Sequence, residues 1–142
     1  MSEFEPVVVV FACDYCAYTA ADVAGRMNLE YPPGVRIIRV PCTGKVDSVH
    51  VLRALEKGAD GVLVAGCLEG DCHFKNGNLR AAARVKALQQ LLDDINIGGG
   101  RVAMVHMSAG QGAVFAETAR QFCESISSLG PNPIKRAARQ AA

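Results

Sequence analysis

Cysteine is the residue type through which this chain can do chemistry. Five of its six cysteines, Cys13, Cys16, Cys42, Cys67 and Cys72, each fall just after a run of apolar, β-branched residues. Cys13 and Cys16 form a C-x2-C chelate, Cys67 and Cys72 a C-x4-C loop containing Gly70, and Cys42 stands alone after Pro41. Thiolates at these spacings hold soft metals or iron-sulfur clusters, and a two-iron cluster takes four of them. Five candidates therefore compete for four places. Thiols far apart in sequence meet only if their strands end on one rim of a sheet, so the elements that carry them decide the reading.

Four short apolar runs without period-two alternation, Pro6 to Ala12, Val35 to Val40, Gly61 to Ala65 and Arg101 to Met107, read as strands buried on both faces. Amphipathic stretches separate them. Asp47 or Ser48 can cap a helix that turns Val51, Leu52 and Leu55 inward and stops near Gly58. A second begins around Asn78, with Ala81, Val85, Leu88, Leu92 and Ile95 on one stripe, and ends before Gly98 to Gly100. A third runs from about Ala113 to Leu129 with Phe115, Ala119, Phe122, Ile126 and Leu129 on its stripe. The alternation implies an α/β protein, a three-layer α/β/α sandwich with a four-stranded parallel sheet of flavodoxin-like order. All five clustered thiols then lie in loops at the C-terminal edge of the sheet. Cys123 borders the stripe of the last helix and reads as a small buried apolar residue.

With 142 residues, half of them apolar, and a formal net charge of +1, the chain has the material for one core and no bulk charge that calls for nucleic acid or an anionic membrane. We expect one domain over 1–130 and a C-terminal tail over 131–142 carrying Lys135, Arg136 and Arg139. The apolar run Pro6 to Ala12 is too short for a signal or a membrane span, which points to a cytoplasmic protein. In a reducing compartment clustered thiols serve metal or redox chemistry rather than structural disulfides. Zinc and thiol-disulfide exchange are the competing readings. Zinc sites usually organise folds that lack a core, and exchange at Cys13-Asp14-Tyr15-Cys16 sets a carboxylate beside the nucleophile and leaves three cysteines without a role. Ser108 to Gly112 lacks the third glycine of a dinucleotide fingerprint and reads as a tight turn. His73 and Lys45 are the neighbours expected to contact or offset a cluster, and Lys75, Arg39 and Arg80 add positive charge around the same loops.

Phe11 to Tyr18, Arg39 to Asp47, Gly58 to Val62, Gly66 to Phe74, Gly77-Asn78 and Leu129 to Pro133 together resemble the delta subunit of methyl-viologen-reducing hydrogenase. The resemblance covers almost the whole chain. It implies one [2Fe-2S] cluster in four of the five matching cysteines and no chemistry on a substrate. The implied role is electron transfer between an input module, such as a hydrogenase or formate dehydrogenase, and the flavin-bearing subunit of a heterodisulfide reductase, within a hetero-oligomeric complex. Similar subunits also accompany heterodisulfide-reductase-like proteins of sulfate reducers, methylene-tetrahydrofolate reductases and class II benzoyl-CoA reductases. The chain has Asp14-Tyr15 where the family often has Asn-Trp, and Gln111 where it has an acidic residue. Negative charge at Asp14, close to a cluster, is expected to make reduction harder.

Overall fold

The structure is a computed structural model that describes residues 4–68, 72 and 76–134. His73, Lys75, Gly70 and residues 135–142 lie outside the described residues. Four parallel strands, β1 (Val8–Cys13), β2 (Val35–Val40), β3 (Gly61–Gly66) and β4 (Val102–His106), form one sheet in the order β2-β1-β3-β4. Helices α1 (Ala17–Arg26), α2 (Ser48–Glu56), α3 (Gly77–Asp94) and α4 (Gly112–Leu129) connect and follow them, with 3-10 turns at Thr43–Lys45 and Gly99–Arg101. This is the expected three-layer arrangement, and its strand order is flavodoxin-like.

Alternation along the strands divides the core in two. Val8, Val10, Ala12, Leu63 and Ala65 pack with α1 and α4, whereas Phe11, Val62 and Val64 pack with α2 and α3. In β3 every residue is buried, as a central strand covered by helices on both faces must be. β2 and β4 depart from the expectation of burial on both faces, because both are edge strands: Arg36, Ile38 and Arg39 of β2 are exposed, and β4 is only half-buried beyond Val102. The α3 stripe buries Ala81, Val85, Leu88 and Leu92, and the α4 stripe buries Phe115, Ala119, Phe122 and Ile126. Ile95 and Leu129, read as the ends of those stripes, are about half exposed, at 51% and 48%. Each falls at or beyond the last helical turn, where the backbone leaves the sheet. Each fully buried Val, Leu or Phe contributes about 1.5–3 kcal/mol, so the stability lies in the inner stripe positions.

The register brings the strand ends level. Cys13 pairs with Val40 at the end of β1 and β2, and Gly66 pairs with His106 at the end of β3 and β4. The loops carrying Cys16, Cys42 and Cys67 therefore leave the sheet from the same rim. Cys13 itself is the last residue of β1, which runs one residue past the end at Ala12 expected from sequence. The chain runs from β1 out to β2 on one side and returns to β3 on the other, so the loops after β1 and β3 diverge and leave a crevice at this edge. Cys13 and Cys67 flank it.

Beyond α4 the chain turns at Gly130, whose φ of 82° is easily reached without a Cβ. Asn132 is then fully buried under the opposite rim, where its amide donates to the carbonyls of Leu55 and Ala59, both at 2.8 Å. No described helix is long and apolar enough to cross a membrane.

Candidate metal centre

The five predicted cysteines come together, and they do so as a group of three and a pair. Cys67 Sγ lies 3.5 Å from Cys13 Sγ and 2.8 Å from Cys16 Sγ. Cys42 Sγ lies 3.8 Å from Cys72 Sγ. Cys72, partly exposed, packs against the group of three and joins the two parts. Cys123 is absent from this assembly: it is buried in the apolar cluster beneath α1 and α4, as its stripe position indicates.

Local backbone explains each placement. Cys16 is the residue before α1 and makes no side-chain cap there; its sulfur turns toward Cys67 instead. Cys42 is extended, opens the Thr43–Lys45 turn and receives the Gly44 amide at 3.4 Å on its sulfur. That turn is pressed onto the start of α3. A Cβ on Gly77 would lie 2.2 Å from Cys42 Sγ and 3.3 Å from Cys72 Sγ, and one on Gly44 would lie 2.8 Å from Gly77 Cα. The missing side chain of Gly77 is thus the space in which the pair of sulfurs sits. Arg84, nearly two turns further along α3, pins the turn by donating to the carbonyls of Gly44 at 2.6 Å and Val46 at 3.1 Å.

Two residues that the motif spacing does not reveal hold Cys67. Asn78, buried in the first turn of α3, donates from Nδ2 to the carbonyls of Cys67 at 3.1 Å and Leu68 at 3.0 Å. His106 Nδ1, at the end of β4, is 2.8 Å from the same Cys67 carbonyl. The only sequence signal for His106 was its position at a strand end level with the cysteine loops.

Burial dominates the acidity of the thiols. It pushes Cys13 up to about 11 and Cys67 up to about 12, with Cys67 adding to burial at the first and Cys16 at the second, and it raises Cys42 in the same sense. At neutral pH these are protonated thiols. A thiol-disulfide nucleophile needs the opposite shift, toward a stable thiolate, so the arrangement is poorly suited to exchange chemistry. A metal that displaces the protons is the partner such a site suits.

A tetrahedral metal with bonds of about 2.3 Å to sulfur separates its ligand sulfurs by about 3.8 Å. Cys42 and Cys72 have this spacing and Cys13 and Cys67 are within a few tenths of it, whereas Cys16 and Cys67 have to part by about 1 Å to share a metal. Among the described residues, no three His, Cys, Asp or Glu side chains surround a common point for a single ion. Two groups of sulfurs side by side are what a two-iron unit requires, since each iron draws on its own thiolates. The donor set therefore fits that group in composition and grouping.

Charges around the rim are distributed unevenly. Arg39 Nε donates to Asp14 Oδ1 at 2.6 Å, and its guanidinium lies over the Tyr18 ring at 5.1 Å. The carboxylate expected to disfavour reduction is therefore paired with a cation at its side. Lys45 and Arg80 are exposed beside Cys42, and no described carboxylate pairs with either. The Ser108 to Gly112 segment is a tight turn, closed by the Gln111 amide on the Ser108 carbonyl at 3.1 Å.

Comparison with known proteins agrees with the sequence resemblance. The chain is 45% identical over 131 residues to the iron-sulfur subunit of the vhu F420-non-reducing hydrogenase of Methanocaldococcus jannaschii, covering 92% of this chain and 98% of that protein. It is 45% identical over 134 residues to the iron-sulfur subunit of the F420-non-reducing hydrogenase of Archaeoglobus profundus, covering 94% of this chain and 98% of that one. It is also 37% identical over 126 residues to one subunit of the ferredoxin:CoB-CoM heterodisulfide reductase of Methanosarcina mazei, which spans 89% of this chain but 16% of that much longer protein. Residues 8–130 match the family described as methyl-viologen-reducing hydrogenase, delta subunit, and with that match over most of its length the chain belongs to this family.

Proposed function

We propose that the chain is an electron-relay subunit that holds one [2Fe-2S] cluster in four of Cys13, Cys16, Cys42, Cys67 and Cys72 and performs no chemistry on a substrate. The observation that carries the reading is the meeting of sulfurs from three separate loops at one sheet edge, grouped as a pair and a group of three. Cys42 and Cys72 hold one iron, and two of Cys13, Cys16 and Cys67 hold the other, so the spare thiol belongs to the group of three. When bound, such a cluster supplies a one-electron carrier. The chain's own part is to keep water from Cys13 and Cys67, to fix the Cys67 loop through Asn78 and His106, and to set the pair of sulfurs against α3.

Relatives named as iron-sulfur subunits of hydrogenases and as part of a heterodisulfide reductase support a place in a hetero-oligomeric complex. In that complex the chain passes electrons between an input module of hydrogenase or formate dehydrogenase type and a flavin-bearing, heterodisulfide-reductase-like subunit. The match to a short stretch of that long reductase chain supports direct contact with such a partner, because a covalent fusion and a docked protein meet the same need for a short electron path. The same relay in a methylene-tetrahydrofolate reductase or a class II benzoyl-CoA reductase is the alternative host, and cytoplasmic location is part of the proposal.

Anaerobic purification followed by iron and sulfide analysis and electron paramagnetic resonance of the reduced protein tests this. About two irons and two sulfides per chain are expected, with visible absorption that Cys42→Ser or Cys72→Ser abolishes. Bound zinc, or thiols that take up no iron, would reject the relay.

A further inference from the structure

The sulfurs do not face solvent equally. Cys13 and Cys67 are 1% exposed and Cys42, at 4%, is also buried, but Cys72 is partly exposed and Cys42 forms the floor of an open groove of about 220 Å³. Its walls are Gly44, Lys45, Gly77 and Arg80. Two of these are glycines, which let the groove reach the sulfur, and the other two are exposed cations at its mouth. The nearest described carboxylate in sequence, Asp47, is committed elsewhere: it caps α2 by accepting from the Ser48 amide at 2.7 Å. Arg84, with its guanidinium held on the Gly44 and Val46 carbonyls, adds a third positive charge behind the turn. The opposite flank, at Cys13 and Cys16, differs, because its cation Arg39 is already paired with Asp14.

We propose that this groove is the port at which the redox partner docks, and that the partner presents an acidic surface to Lys45 and Arg80 over Cys42. The inference rests on the relay reading and adds to it where electrons cross and what chemistry the partner's face has. In each encounter one electron passes by way of the Cys42 side. A cluster held by these cysteines would supply the single electron and a one-electron carrier in the partner would take it up, with no bond or proton changing hands. Opposed charge at the mouth of such a groove raises the encounter rate and orients the docked pair, and salt weakens both effects.

The test uses small anions as stand-ins for the acidic face and does not depend wholly on the cluster. In iron-free, reduced full-length protein, Cys42 is alkylated with anionic iodoacetate and with neutral iodoacetamide, and modification at each cysteine is read by mass spectrometry. The ratio of the two rates cancels the thiolate fraction. Lys45→Glu/Arg80→Glu is expected to lower that ratio at Cys42 by about tenfold at low salt and to leave the ratio at Cys13 unchanged. In iron-loaded, reduced protein the same double variant is expected to slow oxidation by ferricyanide by a similar factor and to speed oxidation by hexaamminecobalt(III). Both differences should shrink as salt is raised. Lys45→Gln/Arg80→Gln should fall between the wild type and the double glutamate variant, and Arg26→Glu, remote from the rim, should behave as wild type. A ratio at Cys42 that does not change, or that changes equally at Cys13, overturns the port. A chain that loads no iron overturns the relay reading instead, and the alkylation result still decides whether the groove selects anions.

Discussion

The two ends of the sheet solve opposite problems. At the N-terminal rim a buried polar network satisfies itself. Asp60, fully buried, accepts from the Val7 amide at 2.9 Å and the Asn132 amide at 3.0 Å, while its carbonyl accepts from Arg101 at 2.9 Å. Arg101, 3% exposed, also donates to the carbonyls of Ile97 and Pro131. At the C-terminal rim, roughly 20 Å away along six-residue strands, the buried groups are thiols that mostly contact one another. One end is complete as folded protein, and the other has donors for a guest. On the proposed reading stability and function are thereby separated along the strand axis, and mutations at the two ends should have separable effects.

The largest effect is expected at the complete end. Asp60→Ala leaves the buried Asn132 amide and the half-buried Val7 amide without an acceptor, and Arg101, whose pKa burial lowers, without the carboxylate that offsets that burial. Breaking such a network costs about 3–5 kcal/mol. Denaturant unfolding should record that loss, while the iron bound per folded chain stays that of the wild type. A variant that loses iron in proportion larger than its loss of folded protein would show that the two ends are coupled.

Gly77→Ala probes the other end with a smaller effect of opposite character. The new methyl group meets Cys42 Sγ head on, and overpacking of this kind costs about 1–3 kcal/mol, offset by up to about 1 kcal/mol of better helix propensity in α3. The metal-free protein should therefore lose no more than about 3 kcal/mol of stability, whereas iron content and visible absorption should fall clearly, because the pair of sulfurs can no longer close beside the helix. Full iron loading in Gly77→Ala would mean that Cys42 does not need this space.

What the sequence revealed follows from the range of each interaction. Strands and helices were legible because their signals are local: unbroken apolar runs at Gly61 to Ala65 and spacings of four and three in α3 and α4. From those elements the convergence of the five cysteines followed, since parallel strands share a rim. The exposure of β2 was partly written in Arg36 and Arg39 within an otherwise apolar strand, a pattern that fits an edge better than a centre. Asn78 and His106 were not legible as supports of Cys67, because the hydrogen bonds that give them that role span 11 and 39 residues. The Asp60–Asn132 clasp spans 72 residues and left no periodic trace at all.

The smallest expected effect concerns the cysteine that belongs to neither end. Cys123 is packed among apolar residues beneath α1 and α4, and burial alone raises its pKa above the ordinary thiol value of 9.0. The folded state therefore favours the neutral thiol over the thiolate. Its contribution to stability is complete below pH 9 and is lost as pH rises above that value toward the raised one. Cys123→Ala removes this term and leaves a small void, for a cost of about 1 kcal/mol at neutral pH. Unfolding curves between pH 7 and pH 10 should accordingly converge for the two proteins as the solution becomes alkaline, and the visible absorption of the iron-loaded variant should match the wild type. Bleaching by this substitution would place a ligand on α4, where the packing leaves no sulfur near the rim.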